Sequence, residues 1–339
     1  MEIKEMIRKK LKGADRVGEL FRLMKFGSKS ALWAAVVNTI VALIKTAAYL
    51  LTGNVAMFAE MMHSFGDAAN QFFVYVGSAL SKKAPTERFP VGFGRLVNLV
   101  LLGAVFVVGV LAYETIVEGI HHINSATHTT DWFWLNIGVL GAAAILEAIV
   151  LYRAMREITE HLPPEQVKGL KIIPESYKNV KNAKPATKLV FLEDNVAVFG
   201  ALLALLAIVL ATYTPFHSAT GYASVIIGLM LIVVVGRIFL DNAAGALGVA
   251  DVELQERIGA KVLEHPKVSD IQDLDVVKEG DSLHIELKIE VNPEMKIKEA
   301  DDVRDYLEGK IKEKIPNVMD VIIEFDEDDR VATWKRPKK

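Results

Sequence analysis

Residues 55–80 read VAMFAEMMHSFGDAANQFFVYVGSAL. Both ends of this stretch are apolar, and its middle holds Glu60, His63, Asp67, Asn70 and Gln71. About 20 mainly apolar residues suffice for a helix to cross a bilayer. Ionisable groups inside such a helix are costly, rare and usually functional. His63 and Asp67 stand at i and i+4, so a helix places them one above the other on one face. Asn70 continues that face. An imidazole and a carboxylate at this spacing can grip one divalent cation; taken alone, the pair could instead be a structural hydrogen bond.

Five further apolar stretches flank this one: Ala31–Leu51, Leu96–Ile120, Trp132–Tyr152, Leu189–Tyr213 and Tyr222–Leu240. With Val55–Leu80 they predict six transmembrane spans. The first is not expected to be a cleavable signal peptide, because a long charged stretch precedes it and no small-residue cleavage site follows. Lys and Arg alternate sharply between the connections. The segment before the first span is rich in both, as are the second-to-third (Lys82, Lys83, Arg88, Arg95) and fourth-to-fifth (Arg153 to Lys188) connections. Residues 52–54, 121–131 and 214–221 contain neither. By the positive-inside rule, both termini face the cytoplasm and the protein is an integral, multi-pass membrane protein.

The charge balance divides the 339-residue chain in two. Residues 1–250 carry 23 basic and 18 acidic residues, net +5; residues 251–339 carry 16 and 24, net −8. The chain has no cysteine, which excludes a disulfide scaffold, a zinc ribbon and a Cys nucleophile. No basic excess points to nucleic acid. Four domains follow: a basic amphipathic cytoplasmic segment at 1–30, a transport domain at 31–240, a soluble domain at 241–330 and a basic tail at 331–339. The first either lies on an anionic leaflet or only enforces topology.

The soluble part has its own periodicities. Val252–Leu263 and Ala300–Ile315 are predicted amphipathic helices, and Ile271–Val277, Leu283–Val291 and Val318–Phe325 are predicted strands. Along Leu283–Val291, apolar residues alternate with His284, Glu286, Lys288 and Glu290 on a polar face, where His284 reads as solvated. The order αββαβ predicts an α+β sandwich with both helices on one face of a sheet.

Polar groups also enter the fifth span, which begins Leu192-Glu193-Asp194-Asn195. Two adjacent carboxylates in hydrocarbon need a cation, a proton or water. Lys45 in the first span and Glu147 in the fourth are read as lying toward the cytoplasmic half, snorkelling or paired. One histidine with several carboxylates suits Zn²⁺, and similarly Co²⁺ and Fe²⁺, rather than Na⁺ or K⁺.

These residues resemble the cation diffusion facilitators, over almost the whole chain from about Ala31 to Phe325. The most specific segment is Ala-Glu-x-x-His-Ser-x-x-Asp-x-x-Asn-Gln at 59–71. Phe89-Pro90-Val91-Gly92-Phe93-Gly94-Arg95, Tyr113-Glu114 with Glu118-Gly119, and His265-Pro266-x-Val268 followed by Asp273-Leu274 add to it. Leu192-Glu193-Asp194-Asn195-x-Ala197-x-x-Gly200 looks like the branch that contains zinc transporter 9. The resemblance implies proton-coupled export of Zn²⁺ or a similar divalent cation by a homodimer with alternating access. It implies a ferredoxin-like cytoplasmic domain that dimerises.

Carried over residue by residue, His63 and Asp67 match the family's ligand pair on the second span. Asp194 matches the later member of the pair on the fifth, and the earlier member falls on Val190, which cannot bind metal. Glu193, Asn70 or a water must then complete the shell, and Glu193 is either a ligand or a proton carrier beside it. The positions that bind zinc in the soluble domain of some relatives fall on Gln272, Lys288, Asp301, Glu324 and Asp326, a set without histidine, so no tail zinc site is expected. The expected function is secondary transport, not enzymatic catalysis, with no bound cofactor. Fe²⁺, Co²⁺ or Mn²⁺ are the alternative cargoes. A cation channel is the rival reading, disfavoured because one chelating site binds too tightly for flux. No Walker motif supports ATP use, and no His-Glu-x-x-His supports proteolysis.

Overall fold

The computed structural model describes residues 18–19, 21–89, 92–125, 132–180, 185–279, 282–315 and 317–334. Most of the expected basic amphipathic helix at 2–25 lies outside these residues; 21–24 are helical. The chain forms two compact units, one of residues 28–75 and 101–240, the other of 1–27, 76–100 and 241–339.

Long helices account for most of the apolar part: α1 (Lys29–Thr52), α2 (Val55–Leu80), α3 (Leu96–Asn124), α4 (Phe133–Ile158), α6 (Pro185–Tyr213) and α7 (Ala219–Leu247), with a short α5 (Ile172–Asn179) before α6. Five of the long helices are apolar and long enough to cross a membrane. The sixth, α2, is a continuous helix of 26 residues, but the polar residues at its centre keep it out of that class. The protein is therefore a multi-pass helical membrane protein.

The side-chain distribution of α1 shows why it suits lipid. Its buried face is Ala31, Ala35, Ala42, Lys45, Ala48 and Thr52, while Trp33, Val37, Ile40, Leu43, Ile44 and Leu50 face outward. Small residues inside and large apolar ones outside reverse the usual soluble pattern and favour close helix approach in a membrane. The α1–α2 turn is built from Gly53 and Asn54. Gly53 adopts φ 62°, and its N–H donates to the Tyr49 carbonyl at 2.7 Å, a helix stop that glycine makes at low steric cost. The Asn54 side chain then accepts from the N–H groups of Ala56 and Met57 at 3.0 and 3.2 Å, capping α2.

Helices α3 and α7 approach through small residues. A Cβ on Gly119 would lie 2.8 Å from the Gly221 carbonyl oxygen, and one on Gly228 2.5 Å from the Ile116 side chain. Ser224 Oγ donates to the Thr115 carbonyl at 2.8 Å across the same contact. Elsewhere in this unit, α4 packs along α6 and also touches α1 and α5.

The second unit contains the soluble fold. It comprises β1 (Val249–Ala250), α8 (Val252–Val262), β2 (Asp270–Glu279), β3 (Ser282–Val291), α9 (Ile297–Lys314) and β4 (Val318–Glu327). The sheet runs β1-β2-β3-β4, antiparallel except for a parallel β3–β4 pair, as the α9 crossover requires. The αββαβ order stands, preceded by the two-residue β1, which is too short to announce itself by periodicity. Leu254, Ile258 and Val262 of α8 and Val303, Leu307 and Ile311 of α9 meet Leu274, Val276, Ile285, Leu287 and Ile289 in one core. Both helices thus present i, i+4 apolar stripes to one sheet face.

Two readings of the polar face need correction. His284 is not solvated: its side chain is 17% exposed and its Nδ1 lies 2.5 Å from Asp320 Oδ1 on β4. Glu290 is 1% exposed; the Asp328 N–H extends the parallel β3–β4 pairing to the Val291 carbonyl, and the chain then returns toward β2. That returning chain carries Trp334 onto the core, and the Thr333 and Trp334 N–H groups donate to Asp270 Oδ2.

Candidate functional site

Helix α2 supplies the first pair. His63 Nε2 lies 3.6 Å from Asp67 Oδ2, with the imidazole 6% exposed and the carboxylate 44% exposed. The i, i+4 spacing makes this juxtaposition local, so it depends only on α2 being helical. Among the described residues, neither His63 ring nitrogen has a hydrogen-bond partner. Asn70 is half-buried one turn further along.

Helix α6 supplies the second group. Glu193 and Asp194 are both half-buried, and both lie within electrostatic reach of Asp67 and His63. Glu193 Oε1 and Asp194 Oδ2 are buried, with no partner among the described residues. Unpartnered buried oxygen and nitrogen atoms are costly in apolar surroundings, and here they come from two helices toward one region. Among the described residues, no three His, Asp or Glu side chains close around one point at coordination distance. The two pairs therefore feel one another's charge without closing into a shell among the described residues. Val190 belongs to α6, and its side chain lies outside the described residues.

Beside these pairs lies a charge cluster that the sequence reading left unassembled. Lys45 Nζ sits 3.0 Å from Glu60 Oε2, 3.4 Å from the Glu60 carbonyl oxygen and 3.5 Å from Glu147 Oε1. Lys45 and Glu60 are 0% exposed. Lys45 therefore does not snorkel, and it stands in the second half of α1 rather than in the half nearer the N-terminus. The cluster joins α1, α2 and α4. It also meets α6, because a Cβ on Gly200 would lie 2.9 Å from Glu60 Oε1. Two signals could have found it: Glu60 stands one turn before His63, and Lys45 and Glu147 are complementary charges inside separate spans.

Lys288 is paired with Asp326 at 3.0 Å, so two of the five positions aligned with tail zinc ligands neutralise one another. Asp301 pairs with Arg304 at 2.5 Å.

Comparison with known proteins matches two parts of the chain. The family model of the cation efflux transmembrane domain matches residues 31–245. The model of the cation efflux protein cytoplasmic domain matches residues 250–328. The mitochondrial proton-coupled zinc antiporter SLC30A9 of Homo sapiens is 26% identical over 271 residues, covering 78% of this chain and 45% of that protein. Its Mus musculus counterpart is 26% identical over 259 residues, covering 74% and 43%. The magnetosome protein MamB of Paramagnetospirillum magneticum is 21% identical over 298 residues, covering 85% of this chain and 90% of that protein. The chain thus spans less than half the length of these zinc antiporters and most of the length of MamB.

Proposed function

The chain belongs to the cation efflux family, and we propose that it exports a divalent transition-metal cation, Zn²⁺ foremost, from the cytoplasm in exchange for protons. The carrying observation is that His63 and Asp67 on α2 and Glu193 and Asp194 on α6 lie within electrostatic reach of one another and bear buried polar atoms without partners among the described residues. An imidazole with carboxylates is a donor set for Zn²⁺ and its neighbours. Metal binds the deprotonated forms of these groups, so metal and protons compete for the same atoms. A site exposed alternately to each side, holding either metal or protons, is an antiporter. This reading accords with the name of the SLC30A9 relatives, proton-coupled zinc antiporter.

On this reading, both termini are cytoplasmic and the protein works as a homodimer through its soluble domain, in keeping with the match to the family's cytoplasmic domain. Position 190 favours a second cargo. With valine where zinc exporters carry a ligand, the set holds one imidazole and otherwise oxygen, a composition that also serves Fe²⁺, Co²⁺ and Mn²⁺.

The test is metal flux into proteoliposomes with an imposed pH gradient. Zn²⁺ uptake that follows the gradient, and reverses with it, is the expected result. Flux indifferent to the gradient would indicate a channel instead.

A further inference from the structure

The connection between α4 and α6 contains a folded element of its own. After a 3-10 turn at Gly169–Lys171, α5 (Ile172–Asn179) packs against α4. Ile172 is buried in a cluster with Leu151, Met155, Ile158 and Phe191, so α5 is anchored to the end of α4 and the start of α6. One side chain reaches further. The Tyr177 hydroxyl donates to Asn195 Oδ1, and the Tyr177 ring packs edge-on against Phe191, with centroids 5.1 Å apart at 71°. Asn195 in turn donates from Nδ2 to the Phe191 carbonyl at 2.5 Å. Phe191 and Asn195 bracket Glu193 and Asp194 in sequence.

These contacts have a physical consequence for the carboxylates. Glu193 and Asp194 are adjacent, about 100° apart around the helix axis, so they cannot both point straight at one ion from a regular helix, and the longer Glu193 reaches it only by swinging across. Which of them faces α2 is set by the rotation of that single turn of α6. Asn195 is the polar handle on the turn, and Tyr177 holds it from outside the helix. The Asn195 amide bonds the Phe191 carbonyl within its own helix, which by itself competes with the backbone ladder. Tyr177 locks the amide in that orientation by taking up its oxygen.

We infer that Tyr177 and Asn195 are positioning residues for the metal, with α5 as a brace that sets how Glu193 and Asp194 are presented to the ion. This rests on the reading above that these carboxylates bind the transported cation. Neither residue touches the ion. The brace acts through the helix turn, and it ties the α4–α6 connection to the site.

The experiment uses the full-length protein, with Zn²⁺ binding measured by calorimetry and Zn²⁺ flux in proteoliposomes. Tyr177→Phe keeps the ring on Phe191 and removes only the hydroxyl. We expect Zn²⁺ affinity to fall about threefold to tenfold, the worth of one net hydrogen bond, and KM for flux to rise in proportion while the maximal rate is retained. Asn195→Ala should give a similar loss, and the double variant should lose no more than the worse single one, since both changes break the same link. A role confined to folding would instead lower the maximal rate at unchanged KM. That outcome, or wild-type affinity in both single variants, overturns the proposal. Asp194→Ala is the control on the underlying reading. If it leaves binding unchanged, the carboxylates are not ligands and both readings fall; if it abolishes binding while Tyr177→Phe does nothing, only the brace fails.

Discussion

Charged residues abound in both units, yet they are treated in opposite ways. In the soluble unit they pair at the surface: Lys261 with Glu264 at 2.8 Å, Lys310 with Glu313 at 2.9 Å and Lys312 with Glu308 at 2.6 Å, all partly exposed. Such pairs contribute little, because water would serve each partner nearly as well. Inside the spans of the helical unit, Lys45 and Glu60 are fully buried, and buried oxygens and nitrogens of Glu60, His63, Glu147, Glu193 and Asp194 have no partner among the described residues. A paired charge at a surface tells of solubility. A half-satisfied one inside a membrane helix marks a ligand that the chain itself does not supply.

The largest effect on stability should come from the Lys45 cluster. Lys45→Met leaves Glu60 buried without its cation, which typically costs about 3–5 kcal/mol. The purified protein should unfold at a clearly lower temperature, and adding Glu60→Gln should recover part of the loss. In the soluble unit, Lys312→Ala should leave the unfolding temperature unchanged within error. If the two variants behaved alike, the contrast between the units would collapse.

Gly200→Ala comes next. Its Cβ would press on Glu60 Oε1 at 2.9 Å, and crowding of this kind costs about 1–3 kcal/mol. Thermal unfolding should show the loss, and it should shrink when Glu60 is shortened to Asp. An undiminished loss would place the clash elsewhere.

Glu193→Gln sharpens the comparison at the site itself. Glutamine keeps the size and an oxygen but cannot titrate. If Glu193 ligates the ion, affinity should fall tenfold or more, about 1.4 kcal/mol, and Val190→His should tighten Zn²⁺ binding by adding an imidazole one turn before Asp194. If Glu193 carries protons, the pH dependence of flux should weaken at nearly constant affinity.

The smallest effect concerns Glu290, which among the described residues of the soluble unit is the buried carboxylate that resembles those of the spans. Burial, then the nearby Asp329, Asp270, Asp328 and Asp326, push its carboxyl above the ordinary range. The folded state then holds the proton more firmly than the unfolded chain. Stability should decline as pH rises from the unfolded carboxylate range, near about pH 4, through the raised folded value. Glu290→Gln should flatten that slope and stabilise the protein at neutral pH. An unaltered slope in full-length thermal unfolding across this range would show that Glu290 is solvated after all.

What could be read in advance divides along the same physical line. His63 and Asp67 were legible because an i, i+4 relation is local to one helix. Glu193 and Asp194 stood out because carboxylates are conspicuous in an apolar run. The αββαβ order was legible from strict alternation, as in Leu283–Val291. The Lys45–Glu60–Glu147 cluster was not, because its members come from three helices and no periodicity says which helices are neighbours. Tyr177 was hidden for a related reason, lying in a lysine-rich connection where a short helix makes no long apolar stripe. Glu290 obeyed the alternation yet is buried, and alternation alone does not say which positions of a polar face are covered.

The most direct measurement is Zn²⁺ binding to the purified full-length protein, followed by calorimetry for the wild type, His63→Ala and Asp67→Ala, with Mn²⁺, Fe²⁺ and Co²⁺ as competitors. The account predicts Zn²⁺ binding in the wild type and a loss of at least about a hundredfold in each variant, with both variants folded. Wild-type affinity in either one would contradict it.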